Sequence, residues 1–161
     1  MNKNFKSLGK NATSYPVSYS PKSLESFPNE HKDHDNWVSV VCTEFTTLCP
    51  ITSQPDFAKI FVNYIPDASM VESKSLKLYL YSFRNHKGFH EDTISRICDD
   101  LAKLLSPKYL EVIGEFTPRG GLAIYPFSNF SSTKIKYLKL KEKRTMNYAP
   151  GRYSMDLARL Y

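Results

Sequence analysis

The sequence predicts an α+β protein, an antiparallel sheet with two helices packed on one of its faces, and three observations predict it. Four short β-branched or aromatic runs stand in pairs around the middle of the chain, at 37–45 and 57–64, then at 109–116 and 122–125. Between the pairs lie two stretches whose apolar residues recur at helical spacing, 72–83 and 94–105. The length of 161 residues fits a single core, since a domain takes roughly 100–200 residues.

Residues 1–36 are polar, rich in Ser, Asn, Lys and Pro, and carry neither apolar period, so they read as an N-terminal arm, surface-bound or disordered, without chemistry of its own. His31 and His34 have a metal-like spacing there, but no Cys or second His pair completes a ligand set, and they read as a surface pair. The ordered domain is expected from Trp37 to 145, with 146–161 as a polar tail. Trp37–Phe45 is the first strand. Pro50 and Pro55 make the next stretch a loop, and Phe57–Tyr64 is the second strand, stopped by Pro66-Asp67.

In the segment Glu72–Phe83, Leu76, Leu78 and Leu80 alternate as in a strand, while Leu76, Tyr79, Leu80 and Phe83 recur as on a helix. The helical template accommodates more residues, and Glu72 with Ser73 offers an acidic, cap-forming start. Ile94, Ile97, Cys98, Leu101, Leu104 and Leu105 form an unbroken apolar stripe ended by Pro107, the plainest helix in the chain. Tyr109–Phe116 and Leu122–Tyr125 are strands around the turn Thr117–Gly121, and Ile135–Leu140 adds an alternating basic strand or extension.

Composition narrows the classes. Apolar residues at 41%, charged at 24%, and only 6 Gly against 10 Pro exclude collagen-like, low-complexity and wholly disordered chains. No run approaches the roughly 18–20 apolar residues of a membrane helix, and no signal-peptide pattern opens the chain, so a cytoplasmic protein is expected. An odd count of 3 Cys argues for free thiols in a reducing compartment. The formal charge of +6 favours an anionic partner without naming it. The lysines at 134–143 read as a solvated basic strand, with a nucleic-acid contact as the alternative.

Cys42 and Cys98 fall in apolar elements, where a thiol behaves as a small hydrophobe. Cys49 lies in the irregular loop, seven residues before Asp56, where a thiolate could be exposed and activated beside an acid. Lys74 and Lys77 share the first turn of a helix, where their amines and the free backbone N–H groups could face an anion or simply meet solvent. Glu91, beside His90 at the start of the long helix, is a dipole partner or an acceptor for two N–H donors of a guanine-like edge.

These segments resemble the QueF family of NADPH-dependent nitrile reductases. The likeness rests on Thr43–Asp56, Val71–Tyr79 with its Glu-Ser-Lys-Ser-x-Lys-Leu-Tyr signature, Ser82–His86 with Phe89–Glu91, and Phe116–Gly121, and covers about Val38 to Asn129. It implies reduction of 7-cyano-7-deazaguanine to 7-aminomethyl-7-deazaguanine in queuosine biosynthesis, a tRNA-modification pathway. It implies Cys49 as the nucleophile of a covalent thioimide and Asp56 as the proton donor. Val71, Glu72, Ser73, His90 and Glu91 are implied as substrate contacts, and Lys74, Lys77, Arg119 and Gly120 as NADPH contacts. No metal is implied. The fold implied is the tunnelling fold, in ββααββ order, whose subunits close into an oligomeric barrel, here a decamer of two pentamers.

Two alternatives stay open. An amidinotransferase similar to these reductases uses the same Cys and Asp on a nitrile carried in tRNA, but lacks the signature found at 72–79. A non-catalytic nucleic-acid-binding module would use the lysines and aromatics for phosphates and bases.

Overall fold

The computed structural model describes residues 14–150. It is an α+β fold built on a four-stranded antiparallel sheet. Strands β1 (Ser26–Pro28), β2 (Val38–Leu48), β3 (Pro55–Ile65) and β4 (Ser69–Val71) precede helices α1 (Ser73–Tyr81) and α2 (His90–Leu105). Strands β5 (Tyr109–Phe116) and β6 (Phe127–Ser131) and helix α3 (Ile135–Met146) follow. The main sheet has the order β2-β3-β5-β6, and β1 pairs with β4 apart from it. The short β4 therefore interrupts the expected ββααββ order.

Both helices pack on one face of this sheet. Leu76, Tyr79, Leu80 and Phe83 from the α1 region and Ile94, Ile97, Cys98, Leu101 and Leu105 from α2 meet Ala58, Ile60, Val62, Tyr64, Leu110, Val112 and Phe116. Burying each such side chain contributes on the order of 1.5–3 kcal/mol before its entropy cost. Gly114 sets how closely α2 approaches, because a Cβ there would stand 2.7 Å from the Ile94 side chain. β2 carries one extra residue between Cys42 and Phe45, where its register against β3 shifts. Core-facing positions switch there from Val38, Val40 and Cys42 to Phe45 and Thr47, which hides the alternation from a simple period-two reading.

Three expectations are corrected. Regular structure begins before Trp37: β1 pairs Ser26 with Val71 and Phe27 with Met70. Glu72 N–H donates to the Glu25 carbonyl at 2.9 Å, and Tyr19 Oη donates to Asp100 at 2.5 Å. Lys108 Nζ, almost fully buried, donates to the carbonyls of Lys32 and His34. Polar groups thus hold this segment where apolar period gave no sign.

The strand expected at Leu122–Tyr125 is instead irregular and largely exposed: the carbonyls of Ile124 and Pro126 accept from the N–H groups of Phe116 and Gly114, but Pro126 has no N–H to return, and the regular strand β6 begins only at Phe127. The third correction is Ile135–Leu140, which belongs to α3 rather than to a strand. Tyr137, Leu140, Lys141 and Arg144 lie at helical spacing, and Tyr137 and Leu140 join Ile65 and Tyr109 in a second, smaller cluster. Arg144 pairs with the buried Glu111 at 2.8 Å, so a charged residue occupies the inward face and the apolar template fails. The expected tail beyond residue 150 lies outside the described residues.

Candidate active site

The β2–β3 connection is tighter than a loop. Leu48 pairs with Pro55 and Thr47 with Asp56, so both prolines sit where no ladder N–H is needed and Asp56 is already in β3. Cys49 opens the turn between them. Its N–H donates to the Gln54 carbonyl at 2.9 Å, and its carbonyl accepts from Ser53 N–H at 3.0 Å. Ser53 adopts φ 58°, the left-handed conformation that closes the turn.

Cys49 was expected as an exposed thiol. The residue is only 6% exposed. Its acidity comes from the turn: the Thr52 hydroxyl and the N–H groups of Thr52 and Ile51 point at the sulfur. Together with Arg119 they outweigh burial and lower the thiol pKa to about 6. The other two thiols go the opposite way, Cys42 raised by burial and Cys98 pushed up to about 11 by burial. At neutral pH, then, Cys49 is the thiolate of the three.

Asp56 stands between Arg119 and His90. Arg119 Nη1 donates to its Oδ1 at 2.8 Å, and His90 Nε2 lies 3.2 Å from its Oδ2. His90 stacks on Phe116 at 3.8 Å between ring centroids and 10° between planes, which fixes the imidazole facing the carboxylate. A carboxylate 5% exposed and a thiolate thus share Arg119 as a common partner. Glu91 follows His90 at the exposed start of α2, and Gly120 takes φ 60° in the turn that projects Arg119. Three chain segments distant in sequence, at 49–56, 90–91 and 116–120, therefore converge on one place.

The residues at 71–77 assemble elsewhere. Glu72 caps α1: its Oε1 accepts from Lys74 N–H at 2.9 Å and its Oε2 from Ser75 N–H at 2.7 Å. These bonds use N–H groups the sequence had offered to an anion, so an anion here must be held by side chains. Val71, Ser73 and Lys77 line a cavity of ≈ 620 Å³ between α1 and the open edge of β2, together with Phe27, Tyr64 and Arg84. Its walls include none of Cys49, Asp56, His90 or Arg119.

Sequence reading missed Thr52, Phe116 and Arg84, whose parts depend on direction rather than residue type. His86 was missed as well. The His86 carbonyl accepts from Leu48 N–H at 2.9 Å and from the Thr47 hydroxyl at 2.7 Å, tying the loop before α2 to the strand end that carries Cys49.

A family model described as QueF-like protein matches residues 55–135. A curated relative from Bdellovibrio bacteriovorus, named NADPH-dependent 7-cyano-7-deazaguanine reductase, is 60% identical over 154 residues, covering 96% of this chain and 91% of its own length. The chain belongs to the QueF family. Family members with the same name include one from Neisseria meningitidis, 55% identical over 88% of this chain and 90% of its own. Another, from Bacteroides thetaiotaomicron, is 57% identical over 84% and 89%. A crystal structure of the archaeosine synthase QueF-Like in the apo form superimposes on 60% of this chain and 95% of its own, with TM-score 0.56 at 18% identity. That similarity establishes a shared fold.

Proposed function

We propose that this chain reduces the nitrile 7-cyano-7-deazaguanine to 7-aminomethyl-7-deazaguanine in queuosine biosynthesis in the cytoplasm, through a covalent thioimide on Cys49. The observation that carries the reading is a thiol lowered to about 6 that shares Arg119 with a buried carboxylate. Relatives 55–60% identical and named for this reductase activity support it. No helix among the described residues is long and apolar enough to cross a membrane.

A nitrile is a poor hydride acceptor. Addition of the Cys49 thiolate to its carbon, with Asp56 giving a proton to nitrogen, yields a C=N bond far easier to reduce. Glu91 accepts the paired N–H donors of the deazaguanine edge, with His90, Val71, Glu72 and Ser73 as further contacts. NADPH supplies two hydrides, one at the thioimide and one at the imine left when the thiolate departs. The residues present fit its phosphates: Lys77 and Arg84 put two cations on the cavity wall, and Lys74 shares the first turn of α1 with Lys77. Arg119 and Gly120 were expected with them. Because Arg119 reaches Asp56 within this chain, we place it at the nucleophile, where it holds both acid and thiolate.

Consumption of two NADPH per nitrile, followed by absorbance, tests the reading. No consumption with the free nitrile, and modification of nitrile-bearing tRNA instead, would replace it with the amidinotransferase alternative. Lys77→Ala is expected to raise KM for NADPH roughly tenfold or more and leave KM for the nitrile nearly unchanged, the scale of a lost hydrogen bond to a charged group. Glu91→Gln does the reverse, since an amide turns a mismatched donor toward the ring. The opposite pattern would interchange the two sites.

The two halves of the site, around Cys49 and around Ser73 and Lys77, are brought together in this reading by neighbouring subunits. β2 and β6 are both open edges of the sheet, and the cavity lies along β2. The outer edge of β2, open except at Leu48, is a liability unless another chain pairs with it. Closure into a barrel of the tunnelling fold, a decamer of two pentamers, removes those edges. Light scattering should give a mass several-fold above the 18.5 kDa monomer, and dilution that dissociates the assembly should remove activity with it. A fully active monomer would overturn the shared site.

A further inference from the structure

The segment before β2 runs antiparallel along the stretch that carries the cations of the cavity. The Asn85 side-chain amide donates to the Val17 carbonyl at 3.1 Å, and Ser20 N–H donates to Ser82 Oγ at 3.0 Å. Farther along, Glu25 N–H donates to Ser75 Oγ at 2.9 Å, the Glu25 carbonyl accepts from Glu72 N–H at 2.9 Å, and β1 then pairs with β4. The segment thus passes the whole of α1. Two of these ties bracket Arg84, which stands between Ser82 and Asn85 in a short 3₁₀ turn and lines the cavity. Its guanidinium carbon lies 4.4 Å from the centre of the Tyr81 ring, and Tyr15 packs on that same ring with centroids 4.9 Å apart. Tyr19 fastens the segment between these ties. Its ring meets Phe83 edge-on at 5.1 Å, and its hydroxyl shares Asp100 Oδ2 with the hydroxyl of Tyr79, at 2.5 and 2.6 Å. One phenol from the segment and one from α1 therefore meet on a single carboxylate of α2.

We propose that residues 15–29 are a strap that positions Arg84 for the phosphates of NADPH, with Tyr15 and Tyr19 as its positioning residues. The inference rests on the placement of NADPH beside Lys77 and Arg84 above. A long arginine side chain loses rotamer freedom when it grips an anion, so a guanidinium already held over a ring gives up less on binding. Tyr15 braces that ring, and Tyr19 keeps the turn that carries Arg84 against the two helices. Neither tyrosine lines the cavity, so both act through other residues. Strap attachment and cofactor binding are then linked, and each strengthens the other by the same factor.

NADP⁺ affinity is read by calorimetric titration, and adduct formation with the nitrile by protein mass without NADPH. Tyr15→Ala removes the brace at an exposed residue, Tyr19→Phe keeps the ring and loses only the hydroxyl, and Arg84→Ala removes the positioned cation. Tyr15→Ala and Tyr19→Phe should each raise the Kd for NADP⁺ about fivefold, the lower end of the roughly 5–150-fold range of coupled sites. Adduct formation should keep its wild-type rate in both. Because the strap acts through Arg84, adding either change to Arg84→Ala should raise Kd by less than about twofold more. In the wild-type chain, where no substitution disturbs folding, saturating NADP⁺ should slow hydrogen exchange at the N–H groups of Ser20 and Glu25 about fivefold. Unchanged NADP⁺ affinity in both strap variants overturns the proposal, as do full additivity with Arg84→Ala and unchanged exchange at Ser20 and Glu25. Equal losses of adduct formation and NADP⁺ affinity overturn it as well, since they mark a general loosening of the fold. If Arg84→Ala and Lys77→Ala both bind NADP⁺ as the wild type does, the placement of the cofactor fails and the strap's role falls with it.

Discussion

Cys49→Ala should abolish both turnover and the mass increase seen when the nitrile substrate is added without NADPH, the largest effect of any single substitution here. Cys42→Ala and Cys98→Ala should retain the adduct. The distinction is electrostatic. Burial raises the thiols of Cys42 and Cys98, whereas the hydroxyl of Thr52 and the turn N–H groups around Cys49 point at its sulfur. Because the charged form is the one stabilised, adduct formation should climb about tenfold per pH unit below a midpoint near 6, the value of the thiol, and level off above it. Thr52→Ala removes the largest of those contributions, so its midpoint should move upward toward the ordinary thiol range, about 8.5. An adduct of normal rate and extent in Cys49→Ala would sink the assignment, and an unmoved midpoint in Thr52→Ala would leave the acidity of Cys49 unexplained.

The contrast between Cys49 and Ile135–Leu140 shows what a segment discloses about itself. Cys49 and Asp56 stand seven residues apart, so the sequence alone keeps thiol and acid near one another, while their roles belong to the proposal. The α+β architecture was legible for a similar reason, since the α2 stripe and the β3 and β5 runs each bury a continuous apolar surface. The α3 segment was not. Its inward face includes Arg144, held by the buried Glu111 of β5, and no pattern within the segment announces that partner. The segment 14–36 escaped notice likewise, because it is fastened by backbone groups and by Tyr19, Lys108 and Asp35 rather than by periodic apolar residues.

Asp56→Asn should bind the nitrile with nearly wild-type affinity and lose roughly 10²–10⁴-fold in turnover, the range that positioned general acids supply. The amide has the shape of the carboxyl group but no acidic proton, so thiolate addition proceeds without neutralising the charge that grows on nitrogen. The fold should survive. Arg119, 43% exposed at its side chain, can turn to water when its partner loses charge, and His90 remains stacked on Phe116. A thermal melting midpoint close to wild type therefore accompanies the lost activity. The same variant should slow adduct formation as well, because Asp56 gives its proton as the Cys49–carbon bond forms. If Asp56→Asn reduces the nitrile at a near-normal rate, the carboxylate serves only to hold Arg119 and His90, and the proton donor must be sought elsewhere, with His90 the next group in line at 3.2 Å from the vacated position.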